Sequence, residues 1–573
     1  MSKYPALAVV LALCSAPAWG QEPRINISGV EPILADNVRL GLRIASEACD
    51  FPSWRERGLL RTIPDEVDRG MRALGYYQSS VDYQFQREDD CWSLELEISP
   101  GVETRVRHIE LQLRGDAAED PAFEGYLDRA PLAEGDVLRH DRYEALKRGL
   151  GNLAAQRGYF EARFEVSELQ VHRADATADV VLHFNTGPRY RLGPIDLQQD
   201  VLHDSLARKF VTCEQGRPFN AGCLIELQQA FINSGYFADV HLETRVEDAE
   251  DLEVPIDLIM SARNKWSYLA GVGASSDVGP RLRLGIENHR ANRRGHRYQL
   301  DSELSPVRSN LSFNFEIPKG DPARERINLT AGVQREDTRT ADTTRTTLGA
   351  ALMEQRSSGW VHTQYLRYER EKFTIAGRDD NATLLMPGYE LMRVKVDDPI
   401  FPRQGWRLRG EARGAYDGLV STVSFVKALG SARLILPFGE QRLLLRAEGG
   451  TSWMSDFDNL PPTLRFFAGG DNSVRGYGYQ RLGPTDAQGR VLGGKHLLTG
   501  TAEVDTPLFG AWRAAAFIDA GNAFDDPQDY DLKYGYGLGV RWRSPIGPIR
   551  VDIARPSDGR DNFRLHLSMG LDL

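Results

Sequence analysis

The chain has 573 residues, several times the usual domain size of about 100–200 residues, so more than one folding unit is expected. Hydrophobic residues make up 41% and charged residues 26%, which excludes a bundle of membrane helices built on apolar runs of about 20 residues. A net charge of −11 argues against wrapping nucleic acid, because phosphate contacts need a basic face. The 54 glycines and 9% aromatic residues fit a transmembrane β-barrel, whose alternating strands look polar on average.

Residues 1–20 read as a secretory signal peptide: Lys3, an apolar run from Ala6 to about Ala12, then Ala18 and Gly20 as the small residues before Gln21. Leu13 precedes Cys14, which does not suit a lipoprotein, so Cys14 leaves with the signal. Cys49, Cys91, Cys213 and Cys223 remain. An even number in an exported chain implies disulfides. Cys49–Cys91 and Cys213–Cys223 are the expected pairs, since each falls within one of the repeat units described next. No metal is expected there, because neither pair has C-x-x-C spacing or histidine partners.

An internal repeat occupies the first half. Gly75-Tyr76-Tyr77, Gly158-Tyr159-Phe160 and Gly235-Tyr236-Phe237 each follow an amphipathic helical pattern: Val67, Met71 and Leu74, then Tyr143, Leu146, Leu150 and Leu153, then Leu224, Leu227 and Phe231. After each glycine the period changes to two, as in Phe160, Ala162, Phe164 and Val166, and in Val240, Leu242 and Val246, which predicts a helix stop and a strand. Gly101-Val102-Glu103-Thr104-Arg105 is echoed by Gly187-Pro188-Arg189-Tyr190-Arg191. The predicted units, 21–100, 101–187 and 188–263, each contain strand, helices, strand, strand, a small α+β sheet with helices on one face.

Three tandem units of this order, with the Gly-Tyr-Phe signature, resemble the polypeptide-transport-associated (POTRA) domains of outer-membrane assembly proteins. A module of this kind offers sheet edges whose unpaired backbone groups can capture an extended client by strand addition.

Residues 264–573 read as a barrel. Alternating stretches include Trp266–Ala274, Arg281–Glu287, Tyr298–Leu304, Leu311–Ile317, Ile327–Val333, Leu443–Glu448 and Ala514–Asp519. Spanning strands of about 9–11 residues plus turns give roughly sixteen. At the end, Phe563, Leu565, Leu567, Met569, Leu571 and Leu573 alternate with Arg564, His566, Ser568, Gly570 and Asp572, which suits lipid on one face and water on the other. Asp397 to Gly405 resembles the turn that the same outer-membrane assembly proteins carry between mid-barrel strands, which implies a structural role.

The stretch Gly469-Gly470-Asp471-Asn472-Ser473-Val474-Arg475-Gly476-Tyr477 resembles the signature loop of the same POTRA-plus-barrel superfamily. In that superfamily the loop folds into the lumen and its arginine pairs with acidic wall residues. Phe517-Ile518-Asp519-Ala520-Gly521 is similar to the family's Phe-x-Asp-x-Gly strand, and Glu503 stands where the family carries a second acid. The resemblance therefore implies that Arg475 meets Asp519 and Glu503, with Gly469, Gly470 and Gly476 allowing tight turns. The family usually ends in an aromatic residue, and Leu573 departs from that.

Gly489 to His496 nearly spells a phosphate-binding loop, but His496 replaces the hydroxyl that would hold magnesium, so no nucleotide is expected. Neither G-x-S-x-G nor H-E-x-x-H occurs, so no enzyme activity, cofactor or metal is expected. His289 and His296, beside Arg290, Arg293 and Arg294, read as solvated turn residues.

Three POTRA units rather than two or five resemble the TamA branch of the superfamily. That resemblance implies an outer-membrane assembly factor for proteins such as autotransporters, with its POTRA domains in the periplasm. Its implied partners are a TamB-like inner-membrane-anchored protein, unfolded outer-membrane clients and outer-membrane lipid. Gly271 and Gly273 in the first barrel strand and Gly570 near the end of the last suggest a weak seam that opens as a lateral gate. The alternative is a two-partner-type secretion pore that exports a protein through the lumen.

Overall fold

The computed structural model describes residues 23–87, 91–418, 420–544, 547–559 and 563–570. The signal peptide expected at 1–20, and Leu571 and Leu573, lie outside them. The chain divides into two compact units: residues up to Ile195 with Cys213–Leu224 and Thr244–Ile256, and Asp196–Thr212 with Ile225–Glu243 and everything from Asp257 onward.

Three α/β modules precede the barrel. The first runs through strand Arg24–Ser28, helices Pro32–Gly41 and Ser53–Ala73, and strands Ser80–Arg87 and Trp92–Ser99. The second has strand Arg105–Arg114, helices Pro121–Leu127 and His140–Arg157, and strands Arg163–His172 and Thr177–Asn185. The third has strand Arg191–Gln198, helices Asp204–Ala207 and Ala221–Asn233, and strands Phe237–Thr244 and Glu253–Ala262. In all three sheets the last strand lies in the middle. In the first two modules it pairs parallel with the first strand and antiparallel with the second. In the first two modules the central strand buries every second residue, Leu94, Leu96 and Ile98 in the first and Val180, Leu182 and Phe184 in the second, so the helices cover one face.

The repeated Gly-Tyr motif joins one module to the next. Gly75, Gly158 and Gly235 all adopt positive φ, +98°, +87° and +76°, which a side chain would resist. The turned chain presents the Gly75 carbonyl to the Thr104 N–H at 2.8 Å and the Gly158 carbonyl to the Tyr190 N–H at 2.9 Å. Thr104 and Tyr190 are the equivalent positions of the Gly101 and Gly187 echo. Their own carbonyls accept the N–H of Leu138 and Phe219, at 2.8 and 3.0 Å.

Two strand boundaries differ from the alternation read in the sequence. Phe160 and Ala162 precede their strand, which starts at Arg163, because the left-handed Gly158 starts a turn rather than an extended segment. Val246 belongs to a short 3-10 turn, Val246–Asp248, so the alternation ends with Thr244.

Sixteen antiparallel strands form the barrel sheet in sequence order, from Trp266–Ser275 to Arg564–Met569. All seven alternating stretches fall inside strands. Polar atoms face the lumen, and Leu282, Leu284 and Ile286 are typical of the exposed outer row that lipid covers. The Asp397–Gly405 segment is the turn between strands eight (Arg378–Val396) and nine (Gly405–Ala415), with the Asp397 carboxylate accepting the N–H groups of Arg403 and Gln404.

His289 corrects an expectation. It is buried, 2.7 Å from Ser267 Oγ and 3.0 Å from the Glu287 carboxylate. The turn that holds it packs under residues of the third module: the Tyr236 hydroxyl donates to the Gly295 carbonyl at 2.5 Å, Arg297 donates to the Ser234 carbonyl at 2.8 Å, and the His203 N–H donates to the Arg293 carbonyl at 2.7 Å.

Cys49–Cys91 and Cys213–Cys223 are both bonded. Peptide mapping without reductant should recover these two pairs, and Cys91→Ala should weaken the first module by about 2–4 kcal/mol. In the second module the buried Asp120 carboxylate accepts from Arg157 and from the Tyr159 hydroxyl at 2.6 and 3.0 Å. Burial raises its pKa, but the bonds from Arg157, the Ala122 N–H and Tyr159 outweigh this and hold it below the usual aspartate value. A depressed pKa means that the carboxylate's contribution is complete at neutral pH and is lost as pH falls through the folded-state value. Asp120→Asn should therefore cost about 1–3 kcal/mol at neutral pH and little in strong acid, read by hydrogen exchange along Val180–Phe184.

Candidate functional site

The connection between strands eleven (Gln441–Met454) and twelve (His496–Phe509) carries the signature loop. Counting turns, it leaves the barrel at the end opposite to the chain's entry near Asn264, then folds back inside. Short antiparallel bridges hold its stem: Phe466 with Gly494 through bonds of 2.9 and 2.8 Å, and Ala468 with Leu482 through two of 3.0 Å. Leu460 and Leu464 anchor its start in an apolar cluster with Phe373, Leu384, Met386 and Phe425. At the tip, Gly469, Gly470 and Gly476 have φ of +96°, +111° and +97°. A Cβ on Gly469 would sit 2.5 Å from the Gly478 carbonyl oxygen, and one on Gly476 would sit 2.9 Å from the Pro556 nitrogen. Ser473 Oγ accepts the Gly469 N–H, Val474 is fully buried, and the Tyr477 carbonyl accepts the Gly470 N–H.

Arg475 is buried and fully paired. Its Nε is 2.7 Å and its Nη2 3.0 Å from the two oxygens of Asp519, whose carboxylate also accepts the Arg475 backbone N–H at 3.0 Å. Nη1 reaches Glu503 at 2.9 Å. Both acids expected from the sequence are therefore contacts. A third, Asp552 on strand fifteen (Gly547–Pro556), was not anticipated: it lies 3.0 Å from Nη1. The guanidinium also stacks 3.3 Å over the Phe517 ring, a cation–π contact. Arg541 on strand fourteen (Lys533–Ser544) bonds Glu503 at 3.0 Å and Asp552, and Arg446 on strand eleven bonds the Ser473 carbonyl and Thr501 at 2.9 and 2.8 Å. Guanidiniums and carboxylates thus alternate around the loop tip, with Arg550 also close to Glu503, the condition under which ionised groups tolerate burial.

The room for this cluster comes from glycine. Gly535, Gly537 and Gly539 alternate along the lumen face of strand fourteen, and a Cβ on Gly535 would sit 1.7 Å from the Arg475 carbonyl oxygen, one on Gly539 1.8 Å from Asp552. This period-two glycine row, followed in step by Arg541, is the one sequence signal that could have pointed to this part of the wall.

The loop also reaches the barrel's two ends in sequence. The Gly476 N–H donates to His566 Nε2 at 2.9 Å, and His566 Nδ1 lies 2.7 Å from Asp471 Oδ1. Asp471 Oδ1 also accepts from Ser276 Oγ, and the Asp471 N–H donates to Asp277 at 2.8 Å. Ser276 and Asp277 form the turn after the first strand, and His566 lies on the last.

Between those two strands no ladder forms among the described residues; the sheet order begins with one and ends with the other. The Ser276 N–H donates to the Leu567 carbonyl at 2.9 Å, and the Leu567 N–H to Ser276 Oγ at 3.2 Å. Arg281 crosses the seam to the Met569 carbonyl at 3.2 Å. Gly273 leaves space for that side chain, since a Cβ there would lie 2.9 Å from Arg281 Nε, whereas Gly271 and Gly570 face open space. Tyr268 and Val272 on the first strand are each 77% exposed.

A model of the Omp85 superfamily domain matches residues 288–572, and a model of the POTRA domain, TamA domain 1, matches residues 24–100. The chain belongs to the Omp85 superfamily. This Omp85 chain is 24% identical to the outer membrane protein assembly factor BamA of Nitratidesulfovibrio vulgaris, over 64% of this chain and 49% of that one. It is 22% identical to BamA of Neisseria meningitidis serogroup B, over 86% of this chain and 70% of that one. The chain thus spans about half the length of the first of these relatives. The crystal structure of BamA from Haemophilus ducreyi lacking POTRA domains 1–3 superposes with a TM-score of 0.68 at 15% identity, over 81% of this chain and 98% of that one, which shows a shared fold. This Omp85 protein is an outer-membrane β-barrel with POTRA modules in the periplasm.

Arg475→Ala should leave three carboxylates short of a cation and cost about 3–5 kcal/mol. The expected readings are a lower temperature of heat-modifiability on gels and protease cleavage within residues 466–482. Asp552→Asn, which leaves Asp519 and Glu503 on Arg475, should move both readings in the same direction but less.

Proposed function

We propose that this protein inserts other β-barrel proteins into the outer membrane by opening sideways between its first and last strands. The seam carries the reading. It is held by three hydrogen bonds among the described residues, whereas the strand pair beside it, one and two, is laddered from Trp266 to Ser275. A freed edge exposes unpaired backbone groups that template an incoming strand, and client folding supplies the free energy without nucleotide or enzymatic chemistry. Beside the loop lies a cavity of about 600 Å³ lined by residues such as Arg281, Glu336, Lys427 and Tyr479.

Relatives named as outer membrane protein assembly factors support the general activity. The match of the first module to a TamA-type POTRA domain supports the finer one, autotransporter assembly with a TamB-like inner-membrane-anchored partner. In each module the first and second strands are the sheet edges and are the surfaces on which strand addition by unfolded clients or partner would occur. Outer-membrane lipid meets the exposed first strand as the seam opens.

Ser275→Cys with Ser568→Cys flanks the Ser276–Leu567 hydrogen bond. Oxidation of this pair should stop insertion of an unfolded client barrel into vesicles, and reduction should restore it. Full insertion with the pair oxidised would overturn the gate and favour export through the lumen.

A further inference from the structure

Asp277, Asp471 and His566 come from three separate segments, the first hairpin turn, the signature loop and the last strand, yet a ligand atom from each lies within 4.8 Å of the others. The Gly476 N–H donates to His566 Nε2, so that nitrogen keeps its lone pair and the ring's proton sits on Nδ1, donating to Asp471 Oδ1. The imidazole is then neutral and cannot balance the two carboxylates. Neither acid forms an ion pair with a lysine or arginine among the described residues, and Arg564 acts on Asp277 only from a distance. The Asp471 side chain is 2% exposed, and its Oδ2 has no hydrogen-bond partner. A buried carboxylate oxygen left bare beside a second carboxylate is a costly arrangement unless a cation occupies the gap.

We propose that Asp277 and Asp471 hold a hard divalent cation, of the calcium or magnesium class, that clasps the first hairpin turn to the signature loop and, through His566, to the last strand. Carboxylate oxygens and water are the ligands such ions prefer. His566 acts as a positioning residue: its Nδ1–H fixes Oδ1 of Asp471 and leaves Oδ2 for the ion, as partners outside the ligand set do elsewhere. The effect on seam opening rests on the gate reading; binding of the ion does not.

The test uses the protein lacking residues 1–20, untagged, stripped with EDTA, in lipopolysaccharide-free detergent micelles, with Tb³⁺ luminescence as the probe. Saturable binding of one ion per chain is expected, displaced by Ca²⁺, lost in Asp471→Asn and Asp277→Asn, and weakened about 10–100-fold in His566→Gln. Asp277 sits on a hairpin turn, so its variant reports even where Asp471→Asn fails to fold, with heat-modifiability as the check. Spin labels at Val272→Cys and Leu565→Cys should show a narrower distance distribution with Ca²⁺ than with EDTA. The proposal is overturned by the absence of a saturable site, by binding that survives Asp277→Asn, or by a seam that tightens on acidification but ignores Ca²⁺, which would assign the gap to a shared proton. Insertion that continues with Ser275→Cys and Ser568→Cys oxidised would remove the gate and leave ion binding standing, so the two readings fail separately.

Discussion

A guanidinium removed from water must be surrounded by carboxylates, and the placement of Arg475 imposes that demand on a third of the barrel. Asp519, Glu503 and Asp552 lie on strands thirteen, twelve and fifteen; Arg541 on the wall also pairs with Glu503 and Asp552, whereas Asp519 forms its ion pair with the loop's Arg475. Removal of one partner from a buried pair costs more than the pair contributes, because the remaining charge is stranded. The loop and the wall therefore hold each other in place, and Arg541 and Arg446 complete the charge balance from strands fourteen and eleven. The absence of side chains at Gly535, Gly537 and Gly539 is as necessary as the charges, since the loop backbone could not otherwise approach.

The loop braces the barrel wall on both sides of the lumen. From strand eleven to strand sixteen its contacts are buried ion pairs and backbone bonds. On the other side the Tyr479 hydroxyl donates to Glu336 on the fifth strand, Glu325–Asp337, at 3.1 Å, Thr340 Oγ1 donates to the Gln480 carbonyl at 3.0 Å, and at the first hairpin turn the contacts are those of the Ser276, Asp277 and Asp471 group. With no ladder between its two strands, the seam is the least secured line in the sheet among the described residues. Closure of a barrel removes edges, and a barrel closed by few hydrogen bonds keeps its edges available at low cost.

The POTRA modules follow a separate rule. A glycine in the left-handed region turns the chain out of a helix and offers its carbonyl to the first residues of the next module. The third copy departs usefully: Tyr236 bonds the Gly295 carbonyl of a barrel turn, so the same motif that elsewhere links module to module here links the last one to the barrel.

The repeats, the strand number and the disulfide pairs were legible in the sequence, because each rests on local periodicity or on placement within a repeat, whereas the Arg475, Glu503 and Asp519 triad was implied by the resemblance of short motifs to those of the superfamily. Helix-stop glycines and alternating strands are written residue by residue. Asp552, Arg541 and Arg446 were not legible, since they converge on Arg475 only through the curvature and register of strands up to about a hundred residues apart. The Asp277, Asp471 and His566 group lies further from any sequence signal, with intervals of 194 and 95 residues between its members. Only closure of the barrel brings the first turn to the last strand, and only the loop's return into the lumen sets a carboxylate between them.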